Sequence, residues 1–359
     1  MKKIILIGPF PPPVHGMSKN LNIVADVLGN NSNVIRICTS PETIVRSKRY
    51  HLTKIRKVMS GLFKMVINCL MSRNITMYMP PDAGLGMYYS ILFVVIARIM
   101  GLKIYFHHRS FSYINEFKRT MFILVKVAGK AATHIFLCQE MESKFRSKYR
   151  LRFKSLIVSN AQHVKIIEKD KIKPVSSTFV IGHLSNLSIE KGLNDVLEIM
   201  EKLIRENYDV KLIIAGPEEN SNAEHVLKNA VTKMEPHIEY RGYLDNSQKE
   251  LFFSDIDLFL FPSRYRNEAQ PNVLFEANSF AVPVVSFERG CIRSDVNSDN
   301  GVVLDPNGNF SVQAFPIIVN WLLNPEKFMN LKETTLAMIG KENEIANEQF
   351  MRMIRKLEE

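Results

Sequence analysis

Cysteines are few in this sequence, and they are far apart. The four of them, Cys38, Cys69, Cys138 and Cys291, form no Cys-x-x-Cys pair and have no histidine at metal-ligand spacing. Disulfide frameworks and zinc sites are usually marked by such spacings. The sequence therefore argues against a structural zinc site and favours a reducing compartment.

Long hydrophobic runs are also missing. The apolar run that follows the two N-terminal lysines stops at Gly8 and Pro9, which is too short for the core of a signal peptide. The longest apolar stretch, Met87–Met100, carries Arg98 and falls short of the roughly 20 residues that span a bilayer. We therefore expect a cytoplasmic protein, with at most peripheral contact at the inner face of the membrane.

Acidic residues are scarce in the first half of the chain. Residues 1–165 contain 26 Lys and Arg against 6 Asp and Glu, whereas residues 166–359 contain 21 against 30. A basic half favours an anionic partner such as phospholipid, a lipid diphosphate or nucleic acid. The tract Ile44–Met71 interleaves basic and apolar residues, which leaves two interpretations open. It is either a helix that lies on an anionic membrane or a surface helix that packs on the sheet.

Short apolar segments alternate with helical patterns along all 359 residues, a length that suits two domains. Strands are predicted at Lys3–Ile7, Val34–Cys38, Ile75–Met79, Lys103–His107, Thr133–Cys138, Ser155–Val158, Phe179–Leu184, Lys211–Ala215, Ile238–Arg241, Leu258–Phe261 and Pro283–Ser286. This alternation predicts the α/β class, with parallel sheets covered by helices on both faces. The polar stretch Glu168–Ser177 reads as a linker, so we predict domains at residues 1–170 and 171–339. Two such Rossmann-like domains would face each other across a ligand-binding cleft.

The segment FPSRYRNEAQPNVLFEANSFAVPVV, residues 261–285, carries the strongest chemical signal. Its strand ends before a polar loop, and Pro271 stands where the first turn of a helix would start. The amides of Asn272, Val273 and Leu274 would then lack partners inside the helix. A helix N-terminus of this kind attracts a diphosphate.

Two glutamates flank this helix start, with seven residues between them. Glu268 precedes the helix and Glu276 lies on its second turn. Carboxylates are good acceptors for sugar hydroxyls, so one could hold a transferred sugar and the other a ribose. The alternative is that both only complement the helix dipole.

The order of these residues resembles the donor-binding motif of glycosyltransferase family 4. The matching residues are Pro262, Ser263, Glu268, Glu276, Ala277, Pro283 and Val284. In the second half, IGHLSNLSIEKGLNDVLEI resembles the start of the family's donor domain, with Lys191 as the cation on the diphosphate. KLIIAGP resembles the strand that brings Gly216 near the nucleotide, and residues around Tyr243 would flank the base. The resemblance spans nearly the whole chain and is strongest from residue 180 to 305.

In the first half, GPFPPPVHGMSKN resembles the family's first loop, where Gly16 would let the backbone approach the donor phosphates. KIYFHHRSF ends a strand with His107 and His108, one of which the resemblance places near the reacting centre; we favour His108. The C-terminal helix at residues 340–359 resembles one that crosses back to the first domain.

One departure from the family concerns the charge at the diphosphate. Asn186 stands where the family usually has an arginine, so one cation is missing unless Arg264, Arg266 or Arg109 replaces it.

The resemblance implies the GT-B fold and a retaining glycosyltransferase. Its donor would be a UDP- or GDP-linked sugar, and we expect no metal and no other cofactor. A polyprenyl-diphosphate-linked glycan, as in bacterial O-antigen or capsule synthesis, would suit the basic first half as acceptor.

Three alternatives belong to other classes of protein. They are a sugar-nucleotide epimerase of the same fold, an inactive partner that binds nucleotide sugars or lipid, and a nucleic-acid-binding protein. The glutamate segment argues against the epimerase, and no recognised nucleic-acid-binding module supports the last.

Overall fold

The computed structural model describes residues 2–12, 16–42, 48–72, 74–175 and 177–359. Residues 13–15 of the proline-rich first loop and residues 44–47 of the basic tract lie outside this part of the chain. The chain divides into two compact units. Unit 1 comprises Met1–Ser159 and Asn347–Glu359, and unit 2 comprises Asn160–Ala346.

Unit 1 is built on a sheet of six parallel strands in the order β2-β1-β3-β4-β5-β6. Its strands are β1 (Lys3–Gly8), β2 (Asn33–Cys38), β3 (Ile75–Met79), β4 (Lys103–His107), β5 (Thr133–Phe136) and β6 (Lys154–Ile157). Its helices are α1 (Gly16–Gly29), α2 (Lys48–Met71), α3 (Gly86–Ile99), α4 (Ser112–Asn115), α5 (Arg119–Ala128) and α6 (Gln139–Tyr149). The central strand β1 is buried almost throughout, which explains its continuous apolar run.

Unit 2 has a second six-stranded parallel sheet, in the order β12-β11-β10-β7-β8-β9. Its strands are β7 (Phe179–Leu184), β8 (Val210–Ala215), β9 (Ile238–Tyr240), β10 (Leu258–Phe261), β11 (Val284–Phe287) and β12 (Gly301–Leu304). Its helices are α7 (Leu193–Arg205), α8 (Ser221–Lys233), α9 (Asn246–Asp255), α10 (Asn272–Asn278), α11 (Ile292–Asp295), α12 (Phe310–Leu323) and the first part of α13 (Pro325–Glu358). The α/β class with two parallel sheets is thus confirmed.

Three elements of unit 2, the strand β12 and the helices α11 and α12, were not predicted from the sequence. The strand β12 has four residues, GVVL, and α11 also has four, IRSD. The helix α12 contains Pro316 in its interior, where proline normally breaks a helix. Here Phe310, Ala314 and Ile318 are fully buried in the core of the unit, and this burial outweighs the lost hydrogen bond.

The last helix, α13, contributes to both units. Near its start, the fully buried ammonium of Lys332 lies 3.3 Å from the fully buried carboxylate of Asp257, which Lys173 also contacts at 2.9 Å. Such a charge is stable in the core only because it is paired. Near its end, Phe350, Met353 and Ile354 pack in the core of unit 1.

The divisions of the chain differ from those predicted. The segment that returns to unit 1 begins at Asn347 and not at residue 340, and the first boundary lies after Ser159 and not after residue 170. The side chain and amide of Asn160 bond to Gln270, so the chain already belongs to unit 2 there. The polar stretch read as a linker is therefore part of that unit. Within the described residues, no helix is both long and apolar enough to cross a membrane.

Candidate functional site

A cavity of about 310 Å³ lies in unit 2, at the carboxyl ends of β7 and β10, where the order of the strands reverses. From β7 the chain first builds β8 and β9 on one side, and later returns to build β10, β11 and β12 on the other. The loops that follow the carboxyl ends of β7 and β10 therefore lead in opposite directions and leave a crevice between them. Ligands of open α/β sheets bind at such a point. The predicted site residues that line this cavity are Asn186, Lys191, Gly216, Tyr243, Glu268, Asn272 and Val273.

The backbone after β8 passes very close to the backbone after β7. Gly216 has a φ of +113°, and a Cβ placed there would lie 1.8 Å from the carbonyl oxygen of Ser185. Only glycine fits this position. The side chain of Ser185 is held in turn by the Nε2 of His183 at 3.1 Å, while the Nδ1 of His183 bonds to the carbonyl of Leu260. One wall of the cavity is therefore made of fixed polar backbone.

The main charged pair in the cavity joins Lys191 and Glu268. The Lys191 ammonium lies 2.6 Å from Glu268 Oε2, which also accepts a hydrogen bond from the Ser263 hydroxyl at 3.2 Å. The same ammonium lies over the ring of Tyr265, 4.7 Å from its centroid. Gly192 follows in the left-handed conformation as the N-cap of α7, and its backbone packs against Pro262. This packing fixes the position from which the Lys191 side chain extends. The pair therefore presents a cation and a carboxylate side by side.

A second lysine lines the cavity, and sequence reasoning missed it. Lys249 lies in the first turn of α9, which starts with a capping box made by Asp245 and Gln248. Its ammonium is 3.3 Å from Glu276 Oε2, whereas Glu276 itself does not line the cavity. A lysine in a helix usually belongs to a solvated face, and only the nearby Tyr243 segment could have drawn attention to it.

The start of α10 contributes two of the three amides that were predicted to be unpartnered. Within the described part of the chain, no protein acceptor receives the amides of Asn272 and Val273, and the Oδ1 of Asn272 is buried without a partner. The prediction for Leu274 is wrong. Its amide donates to the carbonyl of Pro271 at 3.3 Å, because the first turn closes tightly, and its side chain is buried in the core.

The structure does not place Arg264 at the cavity. Its guanidinium makes two hydrogen bonds to the carboxylate of Asp195, at 2.9 and 3.1 Å, and lies over the ring of Phe287. These bonds hold the guanidinium on α7, and Arg264 does not line the cavity. Arg266 does not line the cavity either. The position of Asn186 therefore gains no cation from these arginines.

Gly16, His107 and His108 belong to unit 1. Gly16 is the exposed first residue of α1, and a Cβ placed on it would meet nothing within 4 Å. His107 bonds through Nδ1 to the hydroxyl of Tyr78. Burial raises the pKa of Tyr78 to about 12, although the nearby Arg109 opposes this shift.

The ring of His108 lies inside an aromatic cluster. It stacks on Phe136 with centroids 4.6 Å apart, and its two nitrogens contact the hydroxyl of Tyr113 and the Nδ1 of His134. Burial lowers the pKa of His108 well below its ordinary value, and that of His134 to about 3. Both rings are therefore neutral at physiological pH.

The sequence contains one Asp-x-Asp pair at Asp255 and Asp257, a pattern that can bind a metal ion, although we expect no metal. Both precede β10, at the edge of the sheet opposite to the cavity. Asp257 is held by Lys173 and Lys332, and Asp255 by Arg241 at 2.6 Å. Across the described ranges, no group of three or more His, Cys, Asp or Glu side chains is arranged to hold a metal ion.

We expect His183 to make folding sensitive to acid. Burial lowers its pKa to about 4, so the ring is neutral in the folded protein and takes up a proton on unfolding. Its contribution is complete above the unfolded pKa of roughly 6.5, and it is lost as the pH falls towards 4. This costs up to about 1.4 kcal/mol per pH unit. Urea unfolding of His183→Asn between pH 5 and 8 should give a shallower slope than the parent protein.

The exposed His225→Asn, on α8, is the matched control and should keep the parent slope. Parallel slopes for the parent and His183→Asn would contradict the role of His183. The buried His108 and His134 are present in all three proteins, so their contributions cancel in the comparison.

The protein consists of two Rossmann-like units, with a polar crevice at the switch point of the second sheet. It has the GT-B type of fold, in common with the solved structures to which it is similar. The structure is similar over 98% of its length to 99% of HepE of Anabaena, solved in complex with UDP-glucose, with a TM-score of 0.70 and 15% sequence identity. A likeness at this identity establishes the fold alone.

Residues 164–337 match the family model described as Glycosyl transferases group 1. This segment is just under half of the chain and lies within unit 2. The sequence is 25% identical over 191 residues to the capsular polysaccharide biosynthesis glycosyltransferase CapM of Staphylococcus aureus, covering 53% of this chain and 47% of CapM. It is 31% identical over 142 residues to the O-antigen chain mannosyltransferase C of Escherichia coli, covering 39% of this chain and 36% of that protein. The chain thus spans half or less of the length of these two relatives.

Proposed function

We propose that this protein is a retaining glycosyltransferase of family 4 that moves a sugar from a nucleotide-diphosphate donor to an acceptor hydroxyl. The observation that carries the proposal is the cavity at the switch point of unit 2. It brings together two lysines, a carboxylate, unpartnered amides and the backbone at Gly216, where only glycine fits. The match of residues 164–337 to a glycosyltransferase family supports the same function.

The charges of the cavity suit a nucleoside diphosphate. In our proposal, Lys191, Lys249 and the amides of Asn272 and Val273 bind the diphosphate and stabilise the charge that develops on it as it leaves. Lys249 thereby supplies the cation that is missing at Asn186. This assignment replaces the predicted contribution of Arg264, which is engaged by Asp195.

The remaining groups suit the sugar and the nucleoside. Glu268 accepts hydrogen bonds from the hydroxyls of the transferred sugar, and Glu276 from those of the ribose. The ring of Tyr243 is 72% exposed at the cavity and flanks the base. No side chain is positioned in this proposal as a covalent nucleophile. Departure of the nucleoside diphosphate and attack by the acceptor on the same face retain the anomeric configuration.

Among the two histidines of unit 1, we propose His107 for the reacting centre. Both nitrogens of His108 are engaged by Tyr113 and His134 inside the aromatic cluster, which is the environment of a packing residue. We therefore expect His107→Asn, although this residue is also buried and bonded to Tyr78, to lower kcat by roughly 100-fold under conditions where the variant is fully folded. His108→Asn should instead lower the free energy of unfolding by about 2 kcal/mol or more. Turnover and urea unfolding of both variants measure these effects, and the reverse pattern would restore His108.

The direct test is a screen of nucleotide sugars for protection against thermal unfolding. UDP-glucose, UDP-N-acetylglucosamine and GDP-mannose are the first donors to examine, and a donor that binds should raise Tm. Product analysis with that donor then separates the alternatives. A transferred sugar with retained configuration supports the proposal, an isomerised nucleotide sugar indicates an epimerase, and binding without turnover indicates an inactive partner.

The acceptor in our proposal is a lipid-linked glycan of a bacterial surface polysaccharide, carried on polyprenyl diphosphate. CapM and the mannosyltransferase of E. coli are named for capsule and O-antigen synthesis, which supports this pathway. The basic first half supports it as well, because a lipid-carried acceptor lies at an anionic membrane surface.

Helix α2 carries the features of a membrane-binding helix. Its exposed apolar residues follow each other at helical spacing and are Leu52, Ile55, Met59, Phe63, Ile67 and Leu70. Phe63 is 69% exposed, which is unusual for so large an apolar side chain. Lys48 and Arg49 are exposed on the same helix. We propose that this face lies on an anionic membrane.

We expect salt-sensitive binding of the protein to vesicles that contain phosphatidylglycerol. The variant Met59→Glu/Phe63→Glu should bind at least about tenfold more weakly, because two apolar side chains no longer insert and two negative charges are added. The matched control is Val312→Glu/Leu323→Glu, which changes two equally exposed apolar residues of unit 2. Co-sedimentation at low and high salt measures the effect. Equal losses in both variants would identify α2 as an ordinary surface helix.

A further inference from the structure

A second cavity, of about 430 Å³, lies in unit 1 between α2 and the end of β2. Its polar lining comes from one face of α2 and from one strand residue. The residues concerned are Arg36, Thr53, Arg56, Lys57, Ser60 and Lys64. The five on α2 are spaced by three or four positions, except for the adjacent Arg56 and Lys57, so they lie on one side of the helix. None of them has a role in the proposed transfer reaction.

The packing of α2 on the sheet fixes the shape of this cavity. Val58, Gly61 and Met65 are buried against unit 1. A Cβ on Gly61 would lie 2.5 Å from the Cγ2 of Ile37, so the absence of a side chain lets the helix approach β2 closely. The neighbouring face of α2 is therefore held beside the strand at a fixed distance.

The basic side chains are held in place while most of their donors stay unused. The Lys57 ammonium donates to the carbonyl of Ser40 at 3.0 Å, and the Lys64 ammonium to the carbonyl of Arg36 at 3.2 Å. Each ammonium has three donors, so each keeps two for another acceptor. In the described part of the chain, Arg56 makes no hydrogen bond or ion pair with another residue.

The local charge is strongly positive. Four cations line the cavity, and two carboxylates offset them: Asp26 pairs with Arg36, and Glu42 lies 3.6 Å from Lys57. Glu42 is 76% exposed and screens Lys57 only weakly. A net charge of about two positive units, with the Thr53 and Ser60 hydroxyls nearby, matches a dianion with several acceptor oxygens.

The apolar face of α2 lies directly beside this cavity. Leu52, Ile55, Met59 and Phe63 each precede a cavity residue by one position, and are therefore about 100° further round the helix. A molecule with a charged phosphate and an apolar chain would contact both sides of the helix at once. We propose that this cavity binds the phosphate or diphosphate group of an ester, with a lipid headgroup and a free phosphate compound as its two sources.

Two probes separate the sources. The first is inorganic pyrophosphate, measured by calorimetry, and the second is phosphatidic acid, a phosphate monoester, in phosphatidylcholine vesicles. All proteins in this experiment carry Lys191→Ala, so that the cavity of unit 2 contributes little to pyrophosphate binding. The test variant is Arg56→Gln/Lys64→Gln. The control is Lys130→Gln/Arg152→Gln, which removes the same charge from exposed positions of unit 1 that lie outside the cavity and outside α2.

We expect the test variant to bind the probe at least about tenfold more weakly and the control to stay within about twofold. Binding of both probes identifies any accessible phosphate as the ligand, and binding of phosphatidic acid alone identifies the lipid headgroup. Ser60→Glu should weaken binding as well, because it places a carboxylate in the cavity. Equal losses in the test variant and the control, or no binding of either probe, would overturn the proposal. The transferase proposal is tested separately, by the nucleotide-sugar screen on the parent protein.

Discussion

Glu268→Ala is expected to lower the rate of sugar transfer by roughly 100-fold or more while the protein stays folded. The carboxylate is 13% exposed, accepts a hydrogen bond from Ser263 and pairs with Lys191 at 2.6 Å. It is therefore held rigidly where a donor sugar would lie next to its diphosphate. Loss of its acceptor oxygens would leave the sugar free to rotate, and most bound donors would then be misaligned for attack.

The measurement is the rate of transfer with the donor found in the thermal screen, together with the Kd of the nucleoside diphosphate. We expect kcat to fall, whereas the nucleoside diphosphate should bind as well as before or more tightly, because a nearby negative charge is gone. Glu250→Ala, on the exposed side of α9, is the control and should keep full activity. Unchanged turnover in Glu268→Ala would remove this residue from the reaction.

The resemblance to a known family is what placed Asn186, Gly216 and Glu268 in one site of unit 2. The strand order of the structure explains why they meet, because the loops at the carboxyl ends of neighbouring parallel strands lie at the same edge of the sheet. The close approach at Gly216 follows from the same topology, because neighbouring parallel strands end side by side.

The direction of side chains could not be predicted in the same way. Arg264 and Lys249 are both basic residues close in sequence to residues that line the cavity. Arg264 bonds to Asp195, and of the two only Lys249 lines the cavity. Asp195 lies 69 positions away along the chain, and no local pattern announces such a partner. For Leu274, the choice between a free amide and a tight first turn depends on the packing of its side chain. These outcomes are decided by tertiary contacts and not by local sequence.

Helix α2 shows again that the direction of side chains cannot be predicted from the sequence alone. Interleaved basic and apolar residues predict an amphipathic helix, but they do not tell which residues face the sheet. The structure divides the helix into three sides: a buried side around Met65, an exposed apolar side around Phe63 and a basic side around Lys64. The two interpretations of this tract are therefore compatible. The helix packs on the sheet through one side, and its apolar and basic sides are the two that we propose bind ligands.

Lys191→Ala is expected to weaken binding of the nucleoside diphosphate by roughly 30- to 100-fold, or about 2–3 kcal/mol. Two effects add up in this variant. The diphosphate loses a charge-assisted contact, and the carboxylate of Glu268 loses its counter-ion and repels the phosphates. Lys249→Ala should cost less, about three- to tenfold, because its ion pair with Glu276 is longer and its side chain is more exposed.

Lys191 could also act only by holding Glu268, and a double-mutant cycle separates the two roles. If the ammonium contacts the diphosphate itself, Lys191→Ala should weaken binding of UDP or GDP in the Glu268→Ala background as well. If it only positions Glu268, the second substitution should change nothing, because its partner is already absent. The affinity should be measured by calorimetry with the nucleoside diphosphate. This ligand lacks the transferred sugar, so contacts between Glu268 and that sugar do not affect the comparison. Equal affinity of Glu268→Ala and the double variant would therefore exclude Lys191 from the diphosphate site, and with it the main cation on which the proposed chemistry depends.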